Sequence, residues 1–178
     1  VSNYPGTTVE ITMGQCEQLP GFQVVDTPGA YSLLPISEEE AVARDILLEA
    51  QCEVVVHVVD AKNLRRMLPM TLELLELGLP VVLVLNMMDE ARRYDVSIDM
   101  RQLGDMLSIP VVPTTATTGE GVDRLIDAVA ACTCNVVPLR VPYGAEVLKA
   151  ARAVCGDSVD EAGFNPTLQA IALQGVVD

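Results

Sequence analysis

Asn86-Met87-Met88-Asp89 follows directly on the apolar run of residues 79–85, so an N-x-x-D stands at the end of a buried strand. Asp89 has the chemistry to accept two hydrogen bonds there, from the ring N–H and the exocyclic amine of guanine, while Asn86 ties neighbouring loops together. Adenine presents no such donor pair, and a site built on charge-assisted bidentate bonds rejects a base that leaves its carboxylate unpaired. Taken alone, the tetrapeptide also fits an ordinary strand-to-helix turn, where Asn and Asp collect for local reasons. A second element narrows the choice. Residues 21–25 have a strand's composition and deliver Asp26-Thr27-Pro28-Gly29, a D-x-x-G at a carboxyl strand end, where ligands of open α/β sheets gather. Asp26 can hold a magnesium ion through water, and Gly29 offers a backbone N–H to a terminal phosphate with no Cβ in the way. Between Asp26 and Asn86, and again between Asn86 and Thr115-Ala116, there is room for one or two strand–helix units. Order and spacing fit a GTPase.

Loops of this kind must be held by alternating elements. The pattern predicts strands over 8–13 and 21–25, a helix over 37–50 and a buried strand over 53–60. Leu64, Leu68, Leu72 and Leu75 recur at helical spacing, and Gly78 ends that helix. The strand before Asn86 follows, then a helix over 100–107, a strand over 109–113 and a helix over 121–131. Strands alternating with helices imply an α/β fold with a parallel sheet and crossovers, here with an antiparallel edge from the first hairpin. The leucine stripe is core. Residues 1–138 make up this unit; beyond it, 143–154 and 166–174 read as helices around an acidic loop at 156–163, and no strand signal returns.

Composition excludes several classes. With 178 residues and 50% hydrophobic content the chain can bury the core of one α/β domain plus a small appendage. A net charge of −14 argues against nucleic acid as a partner. Part of that acidity, Glu38-Glu39-Glu40, is the first turn of a helix capped by Ser37. No apolar run reaches the roughly 18 residues of a membrane span. Cys16, Cys52, Cys132, Cys134 and Cys155 are scattered and odd in number, which suits a reducing compartment better than a disulfide framework. Cys132-Thr133-Cys134 has no second pair at zinc spacing, so a helix end is the default reading. His57, the one histidine, lies on an apolar strand and reads as a satisfied core or sheet-face residue.

Four stretches together resemble one family. They are Val1-Ser2-Asn3-Tyr4-Pro5-Gly6-Thr7-Thr8-Val9-Glu10, Asp26 to Leu33, Val59-Asp60-Ala61-Lys62-Asn63-Leu64-Arg65-Arg66, and Asn86-Met87-Met88-Asp89. The chain is similar over residues 1–130 to the cytosolic GTPase domain of ferrous iron transport protein B. The N-Y-P-G-x-T stretch and the Met where most GTPases carry Lys are particular to that pattern. The resemblance implies a P-loop NTPase-like, mostly parallel sheet flanked by helices, followed by the start of a small helical subdomain over 139–178. It implies GTP and GDP as ligands, with Mg²⁺ and, at the phosphate loop and switch I, K⁺. Thr8 matches the switch I threonine, reaching magnesium and the terminal phosphate in the triphosphate state, with Gly6 and Thr7 beside it. Asp26, Thr27, Pro28 and Gly29 match the second switch, so Thr8 and Gly29 are the residues assigned to hydrolysis and Thr8 and Asp26 to the metal. Asn86, Met87, Met88 and Asp89 match the base-reading loop, with the Met87 thioether stem over the base face. Thr115-Ala116, with Thr117 following, resembles the element whose backbone N–H groups meet the guanine carbonyl oxygen.

Two departures bear on mechanism. No G-x-x-x-x-G-K-[ST] occurs in the 178 residues; in this family it lies ahead of the N-Y-P-G stretch, so the chain reads as a fragment lacking its first strand and phosphate loop and, taken alone, as a poor nucleotide binder. Ala30, after D-x-x-G, has no polar atom to orient water where many GTPases place glutamine. The resemblance therefore implies slow hydrolysis with water held by backbone groups. It also implies a partner in the membrane-spanning part of the same polypeptide and a place at the cytoplasmic face of the bacterial inner membrane; self-assembly stays open. Two other readings compete: a GTPase of another branch, such as a ribosome-assembly factor, which would read N-K-x-D and carry basic extensions, and a non-enzymatic module keeping the fold alone.

Overall fold

A computed structural model of the chain describes residues 2–3, 9–49 and 52–132, together with 145, 146 and 149. Gly6, Thr7 and Thr8 lie outside the described residues, as do the boundary after residue 138 and most of the segment expected to be helical beyond it.

Strand β5, Val81–Asn86, is the centre of the molecule, and its composition explains why. All five residues from Val81 to Leu85 are buried, because neighbours cover both faces. Val81, Leu83 and Leu85 point into one cluster with Leu74 and Leu75, while Val82 and Val84 point into another with Val112 and Val129. Full burial of each such side chain contributes roughly 1.5–3 kcal/mol, so a polar substitution anywhere in this run is costly. On either side β5 pairs in parallel, with β4 (Val55–Asp60) from Val55↔Val81 to Asp60↔Asn86, and with β6 (Val111–Pro113) from Leu83↔Val111 to Leu85↔Pro113.

Helices cover this sheet. One face receives α2 (Leu64–Glu76), α3 (Met88–Arg93) and α4 (Met100–Leu107); the other receives α5 (Val122–Ala131). In α2 the buried residues are Met70, Thr71, Leu74, Leu75 and Glu76, with Leu64, Leu68 and Leu72 packed at the margin. Pro69 lies inside that helix. Gly78 ends it as expected, at φ 72° with its N–H on Leu75 O at 3.0 Å.

The N-terminal part is a second, antiparallel sheet ordered β1 (Ser2–Asn3), β2 (Glu10–Gln15) and β3 (Gln23–Asp26). The expected antiparallel hairpin is present, but among the described residues it shares no ladder with β4–β5–β6 and so forms its own sheet. It packs through Val9 and Ile11 on Val42 and Ile46 of α1, Glu38–Glu49, and its turn brings Leu19 and Phe22 against the α5 face of the parallel sheet. Ser37 caps α1 by accepting the Glu40 N–H at 3.2 Å. His57 faces α2, its Nδ1 3.1 Å from Thr71 Oγ1.

Candidate functional site

Carboxyl ends of strands supply the D-x-x-G, N-x-x-D and Thr115–Thr117 loops. β4 ends at Asp60, β5 at Asn86 in register beside it, and β6 at Pro113, from which the chain runs into Thr114–Thr117. Parallel pairing places these three ends on one edge, where helix N-termini also point.

The N-x-x-D loop is held from behind. Asn86 Oδ1 accepts from Ala116 N–H at 3.1 Å and from Thr114 Oγ1 at 3.1 Å, joining the β5 and β6 loops. Met88 N–H donates to Thr114 O at 3.2 Å, a third tie between them. Between Asn86 and Met88 the chain turns through Met87 at φ 62°, ψ 36°, a left-handed conformation that costs a methionine about 1–2 kcal/mol. That turn starts α3 at once, which puts Asp89 in the first helical turn with its carboxylate exposed and in no hydrogen bond with a described residue. Met87 is 36% exposed beside it. A short helix after Asn86 was not legible in the sequence: six residues carry too little apolar periodicity, and its signal is the left-handed turn itself.

In the β6 loop the groups expected to meet the guanine carbonyl already have partners: Thr115 N–H is bonded to Glu120 O at 2.9 Å and Ala116 N–H to Asn86 Oδ1 at 3.1 Å. The Thr117 N–H is next along and makes no hydrogen bond with a described residue. The loop closes on itself through Thr118 N–H to Thr115 O at 3.0 Å and Gly119 N–H to Ala116 O at 3.3 Å. Arg92 of α3 reaches across to Glu120 at 2.8 Å, and Glu120 Oε2 accepts from Thr115 Oγ1 at 3.3 Å. That hydrogen bond to Arg92 and its charge hold the Glu120 carboxyl below the ordinary carboxylate range.

Asp26, Thr27 and Pro28 line a separate cavity of about 400 Å³ with Val9, Glu10, Thr12 and Glu39. Asp26 is the last residue of β3, paired with Thr12. Glu10, Asp26 and Glu39 line the cavity as exposed side chains that do not converge into a group able to hold a metal ion, so Asp26 alone, acting through water, is left to meet the magnesium it was expected to hold. Gly29 is exposed, with nothing within 4 Å of where a Cβ would stand, so a ligand can approach its backbone. Ala30 packs against the core instead of facing the cavity's polar groups.

Several supporting residues went unread in the sequence. Lys62, on the 3-10 turn Ala61–Asn63, bridges Asp60 at 3.8 Å and Glu90 of α3, and lies 5.6 Å from the Tyr94 ring centroid. The hydrogen bond that its ammonium donates to Glu90 raises its pKa. Glu73 of α2 reaches the chain beyond Gly29. Its signal in the sequence is an acid set between two leucines of the helix, Leu72 and Leu74. Among the described residues no three or more His, Cys, Asp or Glu side chains come together in a group that could hold a metal ion, and no helix is long and apolar enough to cross a membrane.

A family model described as ferrous iron transport protein B matches residues 1–129. An Fe(2+) transport protein A/Fe(2+) transporter FeoB fusion protein of Porphyromonas gingivalis is 39% identical over 160 residues, covering 86% of this chain and 19% of that relative. The chain thus spans about a fifth of the length of the curated relatives it matches. Among solved structures, the cytosolic domain of L. pneumophila FeoB superposes with a TM-score of 0.78 at 28% identity over 98% of this chain and 76% of its own. NFeoB from S. thermophilus bound to GDP.AlF4⁻ and K⁺ gives 0.75 at 38% identity, over 97% and 68%.

Proposed function

The chain belongs to the ferrous iron transport protein B family, and from that premise we propose that it is the guanine-nucleotide-binding, GTP-hydrolysing regulatory domain of a ferrous iron transporter. One observation supports base reading most directly. Asn86 Oδ1 is engaged in holding two loops together, and the groups facing solvent beside it include the Asp89 carboxylate, the Thr117 N–H and the Met87 side chain. Those are an acceptor pair, a donor and an apolar cover, the complement of guanine's ring N–H and amine, its carbonyl oxygen and its face.

Hydrolysis falls to the other cavity. Asp26 would hold a magnesium ion through water, with Thr8 as the second metal residue that the family's pattern implies, and such an ion would supply positive charge against the phosphates. Gly29 gives its N–H to the terminal phosphate, Gly6, Thr7, Thr27 and Pro28 shape the nucleotide's surroundings, and Ala30 leaves the orientation of water to backbone groups. A relative binds K⁺ beside GDP.AlF4⁻, and this chain is read as using the same ion. The 178 residues contain no G-x-x-x-x-G-K-[ST], so full affinity and turnover belong to a polypeptide that also carries that loop. Its membrane-spanning part is the partner, at the cytoplasmic face of the inner membrane.

Asp89→Asn tests the base-reading loop in the complete polypeptide. An amide cannot accept both hydrogen bonds from guanine but can donate to the extra carbonyl of xanthine, so preference should pass from GTP to XTP by about a hundredfold, roughly 2.7 kcal/mol. Retained preference for GTP would show that Asp89 does not read the base.

A further inference from the structure

Beyond Gly29 the chain does not run free. Leu33, fully buried, donates its N–H to Glu73 Oε2 at 2.6 Å, and Ser32 Oγ donates to the same carboxylate, 3.0 Å from Oε1 and 3.1 Å from Oε2. Leu34 N–H then donates to Ser32 Oγ at 3.1 Å. One carboxylate on α2 therefore organises three consecutive residues. Seven residues earlier on the same helix, and so on the same side of it, the Arg66 guanidinium lies 5.0 Å from the Tyr31 ring centroid. At its other end the segment is fixed by β3, where Asp26 pairs with Thr12. Residues 27–31, with Gly29 at their centre, are thus a short bridge between a strand end and a helix side.

We propose that Glu73 is a positioning residue for hydrolysis: by holding Ser32 and Leu33 on α2 it fixes where the Gly29 N–H stands relative to Asp26. This rests on Asp26–Gly29 being the second switch. The bonds to Glu73 are charge-assisted and one donor is a buried backbone N–H, so the grip is stronger than a neutral surface contact. It acts on geometry at the reacting phosphate and not on the base pocket, which is built from other loops. Its loss should therefore lower kcat and leave KM in place.

The test uses the complete polypeptide, with steady-state GTP hydrolysis and amide hydrogen exchange read on the same samples. Glu73→Leu should speed exchange at the Leu33 amide and cut kcat about tenfold, with KM within about twofold. Glu73→Gln should recover most of kcat, because its carbonyl oxygen still accepts the Leu33 N–H. Ser32→Ala, the milder change, should lower kcat by roughly two- to fivefold with Leu33 still protected. Unchanged kcat in Glu73→Leu, or Gln no better than Leu, would overturn the positioning role while parent turnover stands. If the parent itself fails to hydrolyse GTP, the functional reading falls and this proposal with it.

Discussion

His57 is the residue whose environment makes the sharpest statement about pH. Burial pushes its pKa down from the ordinary 6.5 to about 4, and the neutral ring stands 3.1 Å from Thr71 Oγ1 on α2. An unfolded chain takes up a proton on this residue as pH falls below about 6.5, whereas the folded chain resists until about pH 4. Folding stability is therefore complete above pH 6.5 and is lost progressively between 6.5 and 4. The ring is only partly shielded, so the loss at pH 4.5 should be about 1–2 kcal/mol. Urea denaturation of the parent and of His57→Gln at pH 7 and 4.5 checks this. The glutamine variant should lose less on acidification, and equal losses would remove His57 from the account. Met87 shows a different kind of residue-scale constraint, a left-handed backbone tolerated where Asn86 and Met88 are both tied to the neighbouring loop.

Among elements, the helix over 100–107 has the bounds the pattern predicts, because Asp99 caps it by accepting Gln102 N–H at 2.9 Å and apolar residues line one side. The leucine helix and the strand before Asn86 are equally legible from periodicity and apolar runs. Illegible were α3 and the folding-back of the 114–121 loop, because both depend on single left-handed residues and on bonds to distant strands. Gly121 carries much of that loop: at φ 86° a Cβ would fall on the Pro113 carbonyl oxygen, whereas at Gly119, φ 76°, it would meet open space. Gly119→Ala should thus cost the backbone strain alone, about 1–2 kcal/mol. Gly121→Ala adds a clash with a strand end and should cost about 3 kcal/mol or more. Equal destabilisation of the two, measured by urea denaturation, would show that the Pro113 contact relaxes freely.

At the scale of the whole molecule, the loops proposed to read the base are tied together within the described residues, but no phosphate-binding nest of the G-x-x-x-x-G-K-[ST] type is encoded in the 178. Most nucleotide affinity in such a fold comes from phosphate contacts, so fluorescent GDP titrated into the 178-residue chain should bind with a Kd weaker than about 10 μM. Micromolar or tighter binding would mean that other groups cradle the phosphates.

Residue types, their order and their periodicity determined the α/β class, the buried strand, the D-x-x-G and N-x-x-D loops and the family, since each is written locally along the chain. Hydrophobic period and strand-end chemistry need no knowledge of distant partners. Tertiary structure decided the rest. It assigned the Thr115 and Ala116 N–H groups to Glu120 and Asn86 and left that of Thr117 exposed, and it put Glu73 under Leu33 across 40 positions of sequence. A hydrogen bond between residues so far apart exists only once the sheet has brought their elements together, and nothing in either local pattern names the other.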